Sequence, residues 1–162
     1  MAENAFEAGS EKPDEKKRLA QELVAAEAGF ARAAEIVQED KDSYDELAAL
    51  CGVLDKQITD LHLIQNELFK ESHEIIQRRE QIMGSVGEEQ ELEEIAKEDR
   101  NNLRKLKSVK LDLARLDEKF TNTLSDLKGI HGGLMGSIGI FKSRKEKVED
   151  LQRRIKELGG GL

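Results

Sequence analysis

The stretch from Leu19 to Ile82 reads LAQELVAAEAGFARAAEIVQEDKDSYDELAALCGVLDKQITDLHLIQNELFKESHEIIQRREQI. Its apolar residues recur at alternating steps of four and three. The series runs Leu19, Leu23, Ala26, Phe30, Ala33, Val37, then Asp40, Tyr44, Leu47, Cys51, Leu54, Ile58 and Leu61. It continues through Gln65, Leu68, Ser72, Ile75 and Arg79 to Ile82 without a slip of phase. Two turns of 3.6-residue helix nearly match seven residues, so such a pattern lays one continuous stripe along a helix. It is a heptad seam, and it predicts a long α-helix packed against another helix.

Downstream, MGSVGEEQE (residues 83–91) breaks the pattern with Gly84 and Gly87. These are helix-stopping and turn residues, and the acids after Gly87 suit the positive end of a new helix. A second series then runs Leu92, Ala96, Asp99, Leu103, Leu106, Lys110, Leu113, Asp117, Phe120, Leu124 and Leu127. It goes on through His131, Leu134, Ile138, Phe141, Lys145, Val148 and Gln152 to Ile155. One column of this series is nearly all apolar, while the other contains Lys110, Asp117, His131, Lys145 and Gln152. Ile95, Val109, Leu116 and Ile130 sit one position earlier than that second column. They widen the stripe beyond what a two-helix seam requires.

The two periodic segments, 19–82 and 92–155, are 64 residues each. At ~1.5 Å per residue each would make about 96 Å of straight helix. Equal lengths and a short glycine-containing joint predict an all-α chain, a long antiparallel helical hairpin or coiled coil. Charge points the same way: residues 1–83 carry 10 Lys+Arg against 19 Asp+Glu, and residues 100–162 carry 15 against 8. An acidic half and a basic half attract when folded antiparallel. The expected organisation is a disordered leader over 1–12, one hairpin domain over 13–158 and a flexible tail over 159–162. Within the domain, helices over 13–83 and 92–158 flank a loop over 84–91, with Pro13 in the opening turn.

A weak point is expected where Gly129, Gly132, Gly133, Gly136 and Gly139 fall within one short stretch. At ~1 kcal/mol each relative to alanine they weaken the second helix. Folding about Gly84–Gly87 brings Asp40 near the same level, so the hairpin is expected to kink there or to double back into a four-helix bundle. Polar residues in the seam (Asp40, Gln65, Arg79, Asp99 and His131) are expected to set register more than stability. One alignment pairs Arg79 with Asp99. Another pairs Asp40 with His131 and Phe30 with Phe141.

Composition narrows function. Aromatics are 4% of the chain, with no Trp and one Pro, which argues against a strand-rich sandwich or barrel. A net charge of -8 gives no general attraction to nucleic acid. No apolar run approaches the ~20 residues that span a bilayer. MAENAFEAGSEKPDEKK lacks the basic start and apolar stretch of a signal peptide. Cys51 is alone, so no internal disulfide forms; with the rest, this predicts a cytoplasmic, reducing location.

Catalytic constellations are present only as fragments. His73-Glu74-Ile75-Ile76-Gln77 begins like a zinc-binding HExxH, but Gln77 stands where the second ligand is needed. Gly136 to Ser143 has the ending of a phosphate loop, with Phe141 where glycine is required. Asp40, Asp42 and Asp45 lack the glycine and the final glutamate of a calcium loop. Cys51 falls in the seam as a small buried hydrophobe. No enzyme activity, cofactor or metal is expected.

Only Leu127 to Lys147 departs from plain coiled coil. Gly132, Gly133, Leu134, Met135, Gly136, Ile138, Ile140 and Phe141, beside Lys142, Arg144 and Lys145, form an apolar and basic segment. Its glycines would let another helix approach closely. The leading expectation is a coiled-coil assembly or scaffold protein whose partner is a helical protein or a second copy of itself. The second is a peripheral membrane or trafficking factor, SNARE-like or tethering, that uses residues 127–147 against a membrane surface.

Overall fold

The computed structural model describes residues 4–159, with side chains from Lys12 onward. Two helices account for almost all of it: α1 spans Asn4–Ile82 and α2 spans Glu88–Leu158. They pack against each other as an all-α helical hairpin, with no strand among the described residues.

The helix boundaries differ from the sequence expectation at three points. α1 begins at Asn4, so residues 4–12 are helical and Pro13 lies inside the helix. Ala5, Glu7, Ala8, Glu11 and Lys12 are good helix formers, set against the lost N–H and the carbonyl clash of Pro13, which together cost about 3 kcal/mol. Residues 1–3 of the expected leader and 160–162 of the expected tail lie outside the described residues. The connection is 83–87, shorter than expected, because α2 starts at Glu88. Glu88, Glu89 and Glu91 occupy its first turn, where carboxylates face the positive end of the helix dipole.

The turn is built from glycine. Gly84 has φ +96° and Gly87 φ +90°, a region that L side chains rarely adopt. Met83 N donates to Arg79 O at 3.2 Å, and Ser85 N donates to Ile82 O at 3.0 Å. The Ser85 hydroxyl donates to the same Ile82 carbonyl at 2.8 Å. These bonds satisfy carbonyls that the end of α1 would leave open.

Neither helix breaks at the weak point. Helix continues through Asp40 and through Gly129–Gly139, so neither stretch supplies the turn that the expected four-helix bundle requires. The i→i−4 ladder depends on backbone groups that glycine retains, and Leu127 and Leu134 stay half-buried against α1. Ser43 returns its hydroxyl to Glu39 O, four residues back, and Ser137 Oγ lies 3.1 Å from Gly133 O, with its one proton shared between that carbonyl and Asp40.

The chain divides into two compact units, residues 1–46 with 127–162 and residues 47–126. In the first, Leu19, Ala26, Val148 and Leu151 are buried together, with Leu23, Phe30, Ile155 and Leu158 packed around them. In the second, Leu68, Val109 and Leu113 form the buried centre, flanked by Ile58, Leu61 and Leu106. Each fully buried aliphatic side chain contributes about 1.5–3 kcal/mol relative to exposure.

On α1 every position of the expected seam except Arg79 is buried or half-buried, joined off the seam by half-buried Gly29, Ala48 and Leu50. On α2 one column is displaced. The column from Leu92 through Asp99, Leu106 and Leu113 faces α1 as expected. Its companion is Ile95, Asn102, Val109, Leu116, Thr123 and Ile130, one residue before the column read from the sequence. Leu103, Lys110, Asp117, His131, Lys145 and Gln152 are therefore exposed. The wide stripe is an ordinary two-column seam with an extra apolar edge.

Candidate functional site

Seam chemistry positions everything else. Asn102 is 3% exposed, and its Nδ2 donates across the interface to Leu68 O at 3.0 Å and to Ser72 Oγ at 2.7 Å. Its Oδ1 is buried without a partner. Thr123 is also buried, its hydroxyl donating to Lys119 O at 2.8 Å. Polar residues enter this core because main-chain carbonyls satisfy them.

Of the two registers, the structure takes the one that stacks Phe30 on Phe141, with ring centroids 4.9 Å apart and planes at 28°. The polar pairing expected with it does not form. Asp40, half-buried, accepts a hydrogen bond from the Ser137 hydroxyl, and exposed His131 packs on Tyr44 with centroids 5.9 Å apart. Gln65 and Asp99 are half-buried. Arg79 and Asp99 line one groove, but no ion pair joins them. The cross-helix ion pair among the described residues is Arg78–Glu98. Its arginine is held above the ordinary pKa, first by the hydrogen bond to Glu98 and then by that carboxylate's charge.

The apolar and basic segment is split by helix geometry. Leu134 and Phe141 are half-buried in the seam, and Ile138 is half-buried beside it. Met135 and Ile140 are exposed, at 55% and 58%. Lys142, Arg144 and Lys145 are exposed, with Lys145 3.9 Å from Glu149. Arg144 turns toward α1: its guanidinium lies 3.7 Å from where a Cβ on Gly29 would be. A Cβ on Gly132, Gly133 or Gly136 would meet nothing within 4 Å, so no described part of this chain uses those glycines for close approach.

A second exposed apolar set is not marked by the sequence pattern. In the unit over 47–126, Phe69 is 54% exposed, Ile76 43% and Leu103 55%. Each follows a buried seam position (Leu68, Ile75 and Asn102), which places it on one flank of the helix pair. Ile76 and Ala96 line a groove of about 240 Å³ there with Arg79, Asp99 and Arg100. On the opposite flank, where Ile64 is 45% exposed, the groove is charged, lined by Glu71, Glu74, Arg78, Glu98 and Lys105. An apolar residue directly after each buried one is the available signal, hidden on α2 by the displaced column.

The fragmentary motifs lie within helices. His73 and Gln77 are exposed side by side, with their Nε2 atoms 3.2 Å apart. Gly136–Ser143 is continuous α2, and Asp40–Asp45 continuous α1, so neither offers a loop to a phosphate or a cation. Among the described residues no group of three or more His, Cys, Asp or Glu is placed to hold a metal ion. None of the described helices is long and apolar enough to cross a membrane.

No family model, curated protein or solved structure matches the chain.

Proposed function

We propose that this chain is a non-enzymatic interaction protein, a helical hairpin that assembles with a second copy of itself or with other helical subunits. The observation that carries this reading is the apolar flank of residues 47–126. Phe69, Ile76 and Leu103 stand beside a complete seam and add nothing to the hairpin's own core. Large apolar side chains gathered on one flank mark an association surface more often than isolated exposed ones do. Buried Cys51 accords with a reducing, cytoplasmic setting.

Sedimentation velocity at two protein concentrations tests it. The expected result is an average mass that rises with concentration and returns to monomer when Phe69→Glu and Leu103→Glu are combined, with helicity unchanged. A chain that stays monomeric, and that cross-links to no helical protein in its native extract, overturns the reading.

The second reading is a membrane-associated factor. It is supported by Met135 and Ile138 standing near Lys142 and Lys145, and weakened by the turning of Leu134 and Phe141 into the seam. Co-sedimentation with anionic vesicles at low salt decides it, and no binding removes it.

A further inference from the structure

Within the unit formed by residues 1–46 and 127–162, we infer that one flank of the helix pair is a docking groove for an acidic amphipathic helix. This rests on the interaction reading above and names the partner's chemistry.

A groove of about 230 Å³ on that flank has Leu23 and Ile155 as its apolar lining, with Gln152 beside them and Lys16 and Lys156 at its rim. The heptad repeat carries the same face along both helices. On α2, steps of seven lead back from Gln152 to Lys145 and Ile138, and from Lys156 to Glu149, Lys142 and Met135. On α1, the positions just after Lys16 and Leu23 are Lys17 and Val24, and the next step of seven reaches Ala31. Along that face Val24 is 68% exposed, Met135 55% exposed and Ile138 half-buried. Ala20, Ala31 and Ala34 are exposed there and present only methyl groups. A third helix can lie close against such a surface.

Charge names the partner. Among the described residues, Lys17, Lys41, Lys128, Lys142, Lys145 and Lys156 are exposed on this flank, against Glu27, Asp45 and Glu149. Six cations against three carboxylates is a basic strip on a chain whose net charge is -8. Of the six, only Lys145 has an ion-pair partner among the described residues. A helix with an apolar stripe bordered by glutamates fits both features: its stripe covers Val24, Met135 and Leu23, and its borders meet the lysines. A lipid surface fits less well, because no Trp or leucine-rich ridge stands out from this flank to enter the acyl layer.

The test uses the full chain and a labelled synthetic peptide with leucines at helical spacing and glutamate and alanine elsewhere, read by fluorescence anisotropy. Saturable binding is expected, weakened about tenfold or more by combining Lys41→Glu, Lys142→Glu and Lys156→Glu. Lys147→Glu with Arg154→Glu, on the other flank, is expected to leave affinity within about twofold. Circular dichroism checks that both variants keep the hairpin. No binding, equal loss in the two variants, or preference for phosphatidylserine vesicles over the peptide overturns the inference. Self-association in the sedimentation experiment with no peptide binding would sink this groove alone and leave the assembly reading standing.

Discussion

Asn102 and Leu68 lie on opposite helices and are joined by a hydrogen bond of 3.0 Å from side-chain amide to main-chain carbonyl. The bond fixes one register, because shifting either helix removes the carbonyl from reach. It leaves Oδ1 of the same side chain buried and unpaired. Asn102→Val is therefore expected to raise stability by about 1 kcal/mol, since a buried unsatisfied acceptor is replaced by an apolar side chain and the two bonds lost, to Leu68 O and Ser72 Oγ, are each modest. The urea midpoint checks this. The same variant should show doubled amide resonances as alternative registers become accessible.

Leu54 is 2% exposed, whereas Leu63 on the same helix is 59% exposed. Leu54→Asp places a carboxylate in the seam without a partner, and should cost about 3–5 kcal/mol or abolish cooperative unfolding. Leu63→Asp should stay within about 0.5 kcal/mol of the parent. Thermal and urea unfolding of the two variants separate the seam from its surface.

Gly133 and Gly84 respond in opposite directions to alanine. Nothing lies within 4 Å of a Cβ on Gly133, so Gly133→Ala should stabilise by about 1 kcal/mol through helix propensity. Gly84 has open space too, but its φ is +96°, and Gly84→Ala should destabilise by about 1 kcal/mol. Urea denaturation of both variants gives the signs. A loss of stability in Gly133→Ala would mean that an associated helix occupies that face.

The Phe30–Phe141 stack ties α1 to α2 at a centroid distance of 4.9 Å. A double-mutant cycle with Phe30→Leu and Phe141→Leu should return a coupling of about 0.5–1.5 kcal/mol. A coupling near zero would mean that the rings contribute area and no specific geometry.

The first helix is legible in the sequence almost residue by residue, because its apolar residues keep to steps of four and three with few competitors beside them. The second is legible in one column only. Ala96, Leu103, Leu124 and Ile138 make the later column look as apolar as Ile95, Val109, Leu116 and Ile130 in the earlier one. The structure decides for the earlier column by burying Asn102 and Thr123 while leaving Leu103 exposed. That outcome depends on carbonyls of Leu68 and Lys119 being in reach, which periodicity does not encode. The same one-residue displacement hides Leu103 within the expected seam, and with it the flank that Leu103 shares with Phe69 and Ile76. The basic segment is visible in the sequence, but its division into seam and two flanks requires the true phase.

Val86, at the tip of the turn, is as exposed as a residue in an extended peptide, at 107%. A protease that nicks the chain there would cut no helix and leave both seams intact. It would, however, turn an intramolecular pairing into the meeting of two separate strands. Tethered by the turn, each helix sees the other at an effective concentration on the order of millimolar. Once the tether is cut, pairing survives only when the fragments are concentrated, and dilution parts them. The short run from Met83 to Gly87 thus makes the hairpin's integrity independent of how much of it a cell contains.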